Sequence, residues 1–197
     1  TGNPKGVVYS HRSQFIHTMG VLQADNLGLT EKDAVFPIVP MFHANSWGLP
    51  YACGMAGSKV LFQDRFMGDA KSIVEIAENE DATILAGVPT IWINTAAYLK
   101  ESGKRLPKVK SVICGGSAVP RALIEAYKQR HGLSIVQGWG MTETSPVASV
   151  SDFIGDLRSA DDETKFDVVA MAGLPLPFGE GRVRDDEGAD VPWDGDA

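Results

Sequence analysis

Short β-branched runs alternate with helix-length amphipathic stretches through most of the chain, and this alternation restricts the fold more than any single motif does. The runs are GVVYS (6–10), AVFPIV (34–39), KVLFQ (59–63), ATILAG (82–87), SVICGG (111–116) and SIVQGW (134–139). Between them, Phe15, Met19 and Leu22 recur at helical spacing from His11 to about Asn26, with Ser10 placed to cap. Ile73, Val74, Ile76 and Ala77 fall on one side of a helix over 69–80, Pro89 opens a helix that Gly103 ends, and PRALIEAYKQRHG (120–132) predicts another. Strands and helices of these lengths predict right-handed crossovers and an α/β fold, a mostly parallel sheet with helices on both faces. Pro37 marks a strand end or an edge. After Ser145 the periodicity fades; 151–170 is polar with one short helical patch, and GRVRDDEG (181–188) reads as a strand entering a turn.

In such sheets ligands bind where loops leave the carboxyl ends of strands. Three glycine-bearing loops sit at strand boundaries: 1–6 precedes a predicted strand, and 115–120 and 138–143 follow strands. In TGNPKG, bare backbone N–H groups and a lysine are the parts of an anion-binding turn, carried by Thr1, Gly2 and Lys5. The order differs from a Walker loop, since Lys5 is followed by Gly6 and a strand; a plain hairpin with a solvent-facing lysine fits as well. CGGSAVP has two readings: Gly115, Gly116, Ser117 and Ala118 form a turn against which a flat ligand can lie, or a tight strand-to-helix connection. In GWGMTE, Trp139 stands between Gly138 and Gly140, neighbours that cannot pack against it, which suits an exposed stacking face for a base; the alternative is a turn with a buried indole. Met141 leads to Thr142, a hydroxyl for a phosphate oxygen, and Glu143, a hard carboxylate suited to Mg2+. In PMFHANSWGLPY, His43 and Trp47 share a face if the segment is helical. A lone histidine in an apolar run is more often a satisfied core group, and His11, His17 and His131 have no metal-ligand spacing with it.

Charge narrows the partners. The chain carries −7 overall, but from Ser151 onward there are 13 acidic and 4 basic side chains, so the remainder is close to neutral. The acidic tail argues against nucleic acid, and any anion bound by the first 150 residues must be held by local geometry. Cys53 and Cys114 lie in apolar runs without paired spacing and read as buried free thiols of a reducing, cytoplasmic compartment. No apolar stretch reaches the ~20 residues of a membrane span.

Together and in this order, TGNPKG, GGSAVP and GWGMTE resemble the acyl-adenylate-forming (AMP-binding) superfamily. PMFHANSWGLPY, VYSHRS and AGVPTIW resemble its medium- and long-chain fatty acyl-CoA synthetases. The resemblance implies that residues 1–197 are part of a large N-terminal domain, with 1–150 an α/β region bearing the nucleotide loops and 151–197 an acidic, less regular region leading to a β segment. On that footing a preceding portion and a following lysine-bearing domain are expected outside the chain, and the isolated chain is expected to be inactive. The implied substrates are a fatty acid, ATP with Mg2+, and coenzyme A. Thr1, Gly2 and Lys5 would contact the β- and γ-phosphates, Thr142 the α-phosphate, Glu143 the Mg2+, and Trp139 the adenine. Gly115, Gly116, Ser117 and Ala118 would line the adenine and the head of the acyl tunnel, which His43, Trp47 and Val88 would border. Trp139 departs from the family's commoner tyrosine: the stacking face stays and the phenolic hydroxyl is lost. The resemblance is compatible with peripheral membrane contact and a homodimeric parent. A ligase for aryl or short-chain acids, and a non-catalytic nucleotide- or partner-binding domain, stand as alternatives.

Overall fold

The computed structural model of the chain describes residues 3, 5–63, 65–151, 153 and 155–192. Helix α1 (His11–Val21) begins where the Ser10 hydroxyl accepts from Ser13 N at 3.0 Å, a side-chain cap for an otherwise orphaned N–H. Strand β1 (Ala34–Pro37) is followed by α2 (Ala44–Trp47), a single left-handed turn, then α3 (Leu49–Ala56) and β2 (Lys59–Val60). Helix α4 (Ala70–Asn79) is capped by Asp69, whose carboxylate accepts from Ser72 N at 2.8 Å. Strand β3 (Ile84–Gly87), helix α5 (Pro89–Ser102) and strand β4 (Ser111–Gly115) follow. Helix α6 (Arg121–Ala126) widens into a π-helical turn, Tyr127–His131, before β5 (Ser134–Gly140). Strand β6 (Val147–Val150), helix α7 (Asp162–Ala170) and strand β7 (Leu174–Pro175) complete the order.

The seven strands form one sheet in the order β2-β1-β3-β4-β5-β6-β7, parallel from β2 to β5 and antiparallel from β5 to β7. Alternate residues of each strand face opposite ways, and this divides the interior into two cores. Phe36, Leu85, Val112 and Cys114 point to the larger, with Ile73, Trp92, Ile124, Tyr127 and Phe166 from α4, α5, α6, the π-helical turn and α7. Val35, Ile84 and Ile113 point to the smaller, with Val21 from α1 and Leu49, Ala52 and Cys53 from α3. Helices therefore cover both faces, as expected for a mostly parallel sheet. Both cysteines are fully buried; burial pushes the Cys53 thiol up to about 11 and the Cys114 thiol up to about 12, leaving them unreactive.

Several expectations need correction. GVVYS is not a strand: no neighbouring strand pairs with it among the described residues, and Val8 is 94% exposed. The first glycine loop therefore does not lead into the sheet. KVLFQ pairs only at Lys59 and Val60, and Phe62 is left exposed. Pro37 ends β1, but β1 lies between β2 and β3 and is not an edge. The fading pattern after Ser145 conceals β6 (VASV) and β7 (Leu-Pro), short runs with little intrinsic strand signal, β6 held by β5 and β7 by β6. Residues 181–188 contribute only an isolated bridge, Arg184 to Asp190, across a turn.

Buried Gln137 ties distant segments to the sheet. Its Oε1 accepts from Val119 N at 2.8 Å, and its Nε2 donates to Met171 O at 2.6 Å. A second polar knot secures the opposite end of the strands. The Asp33 carboxylate accepts from Thr30 N, Thr30 Oγ1, Thr83 Oγ1 and Lys110 Nζ at 2.8–3.0 Å. Burial alone would push its pKa up, but Lys110 and the Thr30 and Thr83 donors outweigh it and hold the carboxyl down at about 2. A depressed carboxylate contributes stability above its ordinary value near 3.8, and that contribution disappears as pH falls toward the folded value. Asp33→Asn is expected to cost about 1–3 kcal/mol at pH 7 and to flatten the loss of stability between pH 4 and 2, both read from urea midpoints.

Candidate active site

At the carboxyl ends of β4 and β5 the chain encloses a cleft of about 290 Å³. Its apolar floor includes Ile113 from β4 and Val150 from β6, with Val21, Leu27 and Leu49 beside them. Gly115 and Gly116 form one wall. The turn that follows them is anchored at Val119 by the Gln137 hydrogen bond. Beneath β3 and β4 the Trp92 indole N–H is shared between Gly87 O at 3.0 Å and Ile113 O at 3.2 Å, which braces the strand that ends at the cleft.

Gly138, Trp139, Gly140, Met141, Thr142 and Glu143 form a second wall. The register between β5 and β6 shifts at Trp139/Gly140, and a 3-10 turn, Thr142–Thr144, re-aims the chain over the cleft. The Thr144 hydroxyl accepts from Met141 N at 3.1 Å and donates to the Pro146 carbonyl. Trp139 is 50% exposed, so its ring is available to a ligand. Thr142 and Glu143 are exposed at the cleft, and Glu143 has no hydrogen bond or ion pair among the described residues.

The third wall is α2. Ala44, Asn45, Ser46 and Trp47 have φ of 48°, 53°, 53° and 57°, and Gly48 continues at 75°. The Ser46 hydroxyl donates to Val39 O inside this turn. Because the turn is left-handed, a shared right-handed helical face is not what brings His43 and Trp47 together; both nevertheless line the cleft. His43 is exposed, so it is not a satisfied core histidine. The Trp47 ring passes over the bare backbone of Gly115 and Gly116: a Cβ built on either would lie 3.5 Å and 3.8 Å from it.

Of the sequence-predicted residues, the cleft brings together His43, Trp47, Gly115, Gly116, Gly138, Trp139, Gly140, Met141, Thr142 and Glu143. Lys5, Val88, Ser117 and Ala118 do not line it. Lys5, Ser117 and Ala118 are exposed, while Val88 abuts Gly116 from behind, its Cγ1 3.2 Å from where a Gly116 Cβ would stand. Thr1 and Gly2 lie outside the described residues. Sequence reasoning missed Tyr9, whose hydroxyl donates to Thr142 O at 2.6 Å, and Pro146 and Val147, which close the second wall. Tyr9 lies in a run that reads as a strand, and Pro146 and Val147 lie where periodicity fades, so neither carried a signal.

Residues 1–197 match the AMP-binding enzyme family along their whole length. The chain belongs to that family. Among relatives of this AMP-binding enzyme, the long-chain-fatty-acid–CoA ligase of Thermus thermophilus is 46% identical over 198 residues, covering 100% of this chain and 36% of the ligase. The 3-methylmercaptopropionyl-CoA ligase of Ruegeria pomeroyi is 39% identical over 197 residues, covering 99% of this chain and 36% of that protein. The inhibitor-bound N-terminal domain of FACL13 from Mycobacterium tuberculosis superimposes with a TM-score of 0.79 at 25% identity, covering 96% of this chain and 44% of that one. This AMP-binding enzyme chain thus spans about 36% of the length of the curated relatives it matches. Among its described residues no helix is long and apolar enough to cross a membrane.

Proposed function

We propose that these residues form the nucleotide- and acyl-binding part of an acid–thiol ligase that activates a medium- or long-chain fatty acid with ATP and passes the acyl group to coenzyme A. The observation that carries this reading is the convergence of three sequence-distant turns on one cleft with an apolar floor. An aromatic face, a hydroxyl and a carboxylate lie beside aliphatic side chains there, which suits a ligand that is part nucleotide and part hydrocarbon. Buried free thiols fit a reducing, cytoplasmic setting.

In the first step the fatty carboxylate attacks the α-phosphorus of ATP, forming acyl-AMP and releasing pyrophosphate. In the second, the thiol of coenzyme A displaces AMP. The carboxylate is ionised at neutral pH, so no general base is needed, and the site's work is positioning and charge stabilisation. In this proposal Trp139 stacks on adenine, Gly115, Gly116, Ser117 and Ala118 line it, and Thr142 contacts the α-phosphate. Lys5, which is exposed and lies four residues before the Tyr9 contact to the Thr142 carbonyl, serves the outer phosphates together with Thr1 and Gly2. His43, Trp47 and Val88 border the acyl group.

The donor set fits a magnesium ion shared with a polyphosphate. Among the described residues Glu143 is an unpaired carboxylate at the cleft, and no cluster of three metal-binding side chains exists to hold an ion alone. Glu143 would hold Mg2+, which when bound neutralises charge building on the leaving pyrophosphate.

A short-chain acid substrate is the second reading, favoured by the 39% identity to a ligase named for a short thioether acid. Calorimetry of the 197-residue chain with Mg·ATP, and with non-hydrolysable acyl-AMP mimics of increasing chain length, tests both. Nucleotide binding is expected, weakened about tenfold in Glu143→Gln, equivalent to about 1.4 kcal/mol. Affinity is expected to rise with each added methylene by up to about 0.8 kcal/mol where the chain is buried. A plateau beyond four carbons would favour the short-chain reading, and absence of any nucleotide binding would remove both.

A further inference from the structure

Three side chains of one short segment hydrogen-bond successive backbone groups of the second cleft wall. The Tyr9 hydroxyl donates to Thr142 O at 2.6 Å, Gln14 Nε2 donates to Ser145 O at 3.4 Å, and Val147 N donates to His17 Nε2 at 3.3 Å. His17 is the innermost of the three, 6% exposed. Because its Nε2 accepts, the neutral ring carries its proton on Nδ1, and Nδ1 is buried with no partner among the described residues. Burial pushes the imidazole down to about 4, so the acceptor form prevails near neutral pH.

A residue serving only to fill space here would be better as an apolar ring, which leaves no buried N–H unpaired. What the imidazole adds is the acceptor for Val147. The same ring also packs against the acyl side of the cleft. A Cβ at Gly48 would stand 2.8 Å from His17 Cε1 and 3.0 Å from Nδ1, and Gly48 directly follows Trp47. Only glycine allows the ring so close at a φ of 75°. One side chain therefore touches both the loop that follows Glu143 and the turn that carries Trp47.

We propose that His17 is a positioning residue: through Val147 on one side and Gly48 on the other, it fixes the separation between the Thr142–Glu143 loop and the Trp47 turn, and so the width of the cleft mouth. The consequence for nucleotide affinity rests on the functional reading above; the consequence for loop order does not. Two measurements separate them: deuterium uptake of peptides spanning 141–150, and calorimetric titration of the 197-residue chain with Mg·ATP.

His17→Phe keeps a ring against Gly48 and removes the acceptor. It is expected to speed exchange at Val147 and its neighbours about tenfold and to weaken Mg·ATP binding by a similar factor, with little change in Tm. His17→Gln, which restores an acceptor, is expected to recover most of both. If His17→Phe leaves loop exchange and affinity unchanged, or if His17→Gln fails to rescue a folded protein, the proposal is overturned. If the wild type binds no Mg·ATP, the functional reading fails while the exchange data still judge His17. Should His17→Phe fail to fold, His17→Met, which keeps an apolar side chain against Gly48 without the ring acceptor, carries the same measurements; faster exchange at 141–150 supports the proposal, and unchanged exchange overturns it.

Discussion

Trp92→Ala is expected to destabilise the chain by about 3–5 kcal/mol, a large part of the about 5–15 kcal/mol that holds a typical domain together. Trp92 is 0% exposed and belongs to the larger core, so truncation leaves a cavity there. The loss extends beyond volume. The indole N–H is shared between Gly87 O, at the end of β3, and Ile113 O, within β4. Removing the indole takes a donor away from both carbonyls. Trp92→Phe, which restores most of the volume but not the donor, is expected to recover about half of the loss. Denaturant midpoints of the two variants measure both parts, and a Trp92→Ala cost under 1 kcal/mol would contradict this account of the core.

Gly140→Ala is expected to act on the site more than on the fold. A Cβ at residue 140 would stand 2.0 Å from Pro146 O and 2.8 Å from Val147 Cα, contacts that no rotamer can relieve because both atoms are backbone. Either the β5–β6 crossing opens or the loop between them moves away, and the loop carries Thr142 and Glu143. The expected result is a loss of about 2–3 kcal/mol in stability with at least a tenfold loss of Mg·ATP affinity. Gly138→Ala is the control. A Cβ there meets only Ser149 O, at 4.0 Å, so a milder effect on both measurements is expected.

Much of the fold was legible because local and long-range preferences agree. Pro89 and Gly103 bound α5 as the sequence predicts, Ser10 caps α1, and the central strands alternate between the two cores with period two. The failures have a common physical origin. GVVYS has strand composition and no strand beside it among the described residues, whereas VASV has weak composition and a good neighbour, and pairing decided both cases. The glycine pairs and the exposed Trp139 were legible at the cleft because unsupported aromatic rings and bare turns are locally unusual. Tyr9, Gln14 and His17 were not, since their partners lie 133, 131 and 130 positions away and are backbone atoms, which leave no mark of residue type. The His43–Trp47 pairing was anticipated through the wrong geometry, a right-handed helix where the backbone is left-handed.

That left-handed backbone restricts what can vary around the cleft. L-residues other than asparagine cost about 1–2 kcal/mol each in this region relative to a right-handed turn, so changes to glycine at 44–46, or to asparagine at 44 and 46, relieve the conformation whereas β-branched residues aggravate it. If the proposed function holds, diversification of acyl preference is easier through floor positions such as Leu27, Leu49 and Val150, which sit on ordinary backbone, than through the turn. Trp47 stands on the stretch least free to accept substitutes, and a search for altered selectivity is better begun beneath its ring than at it.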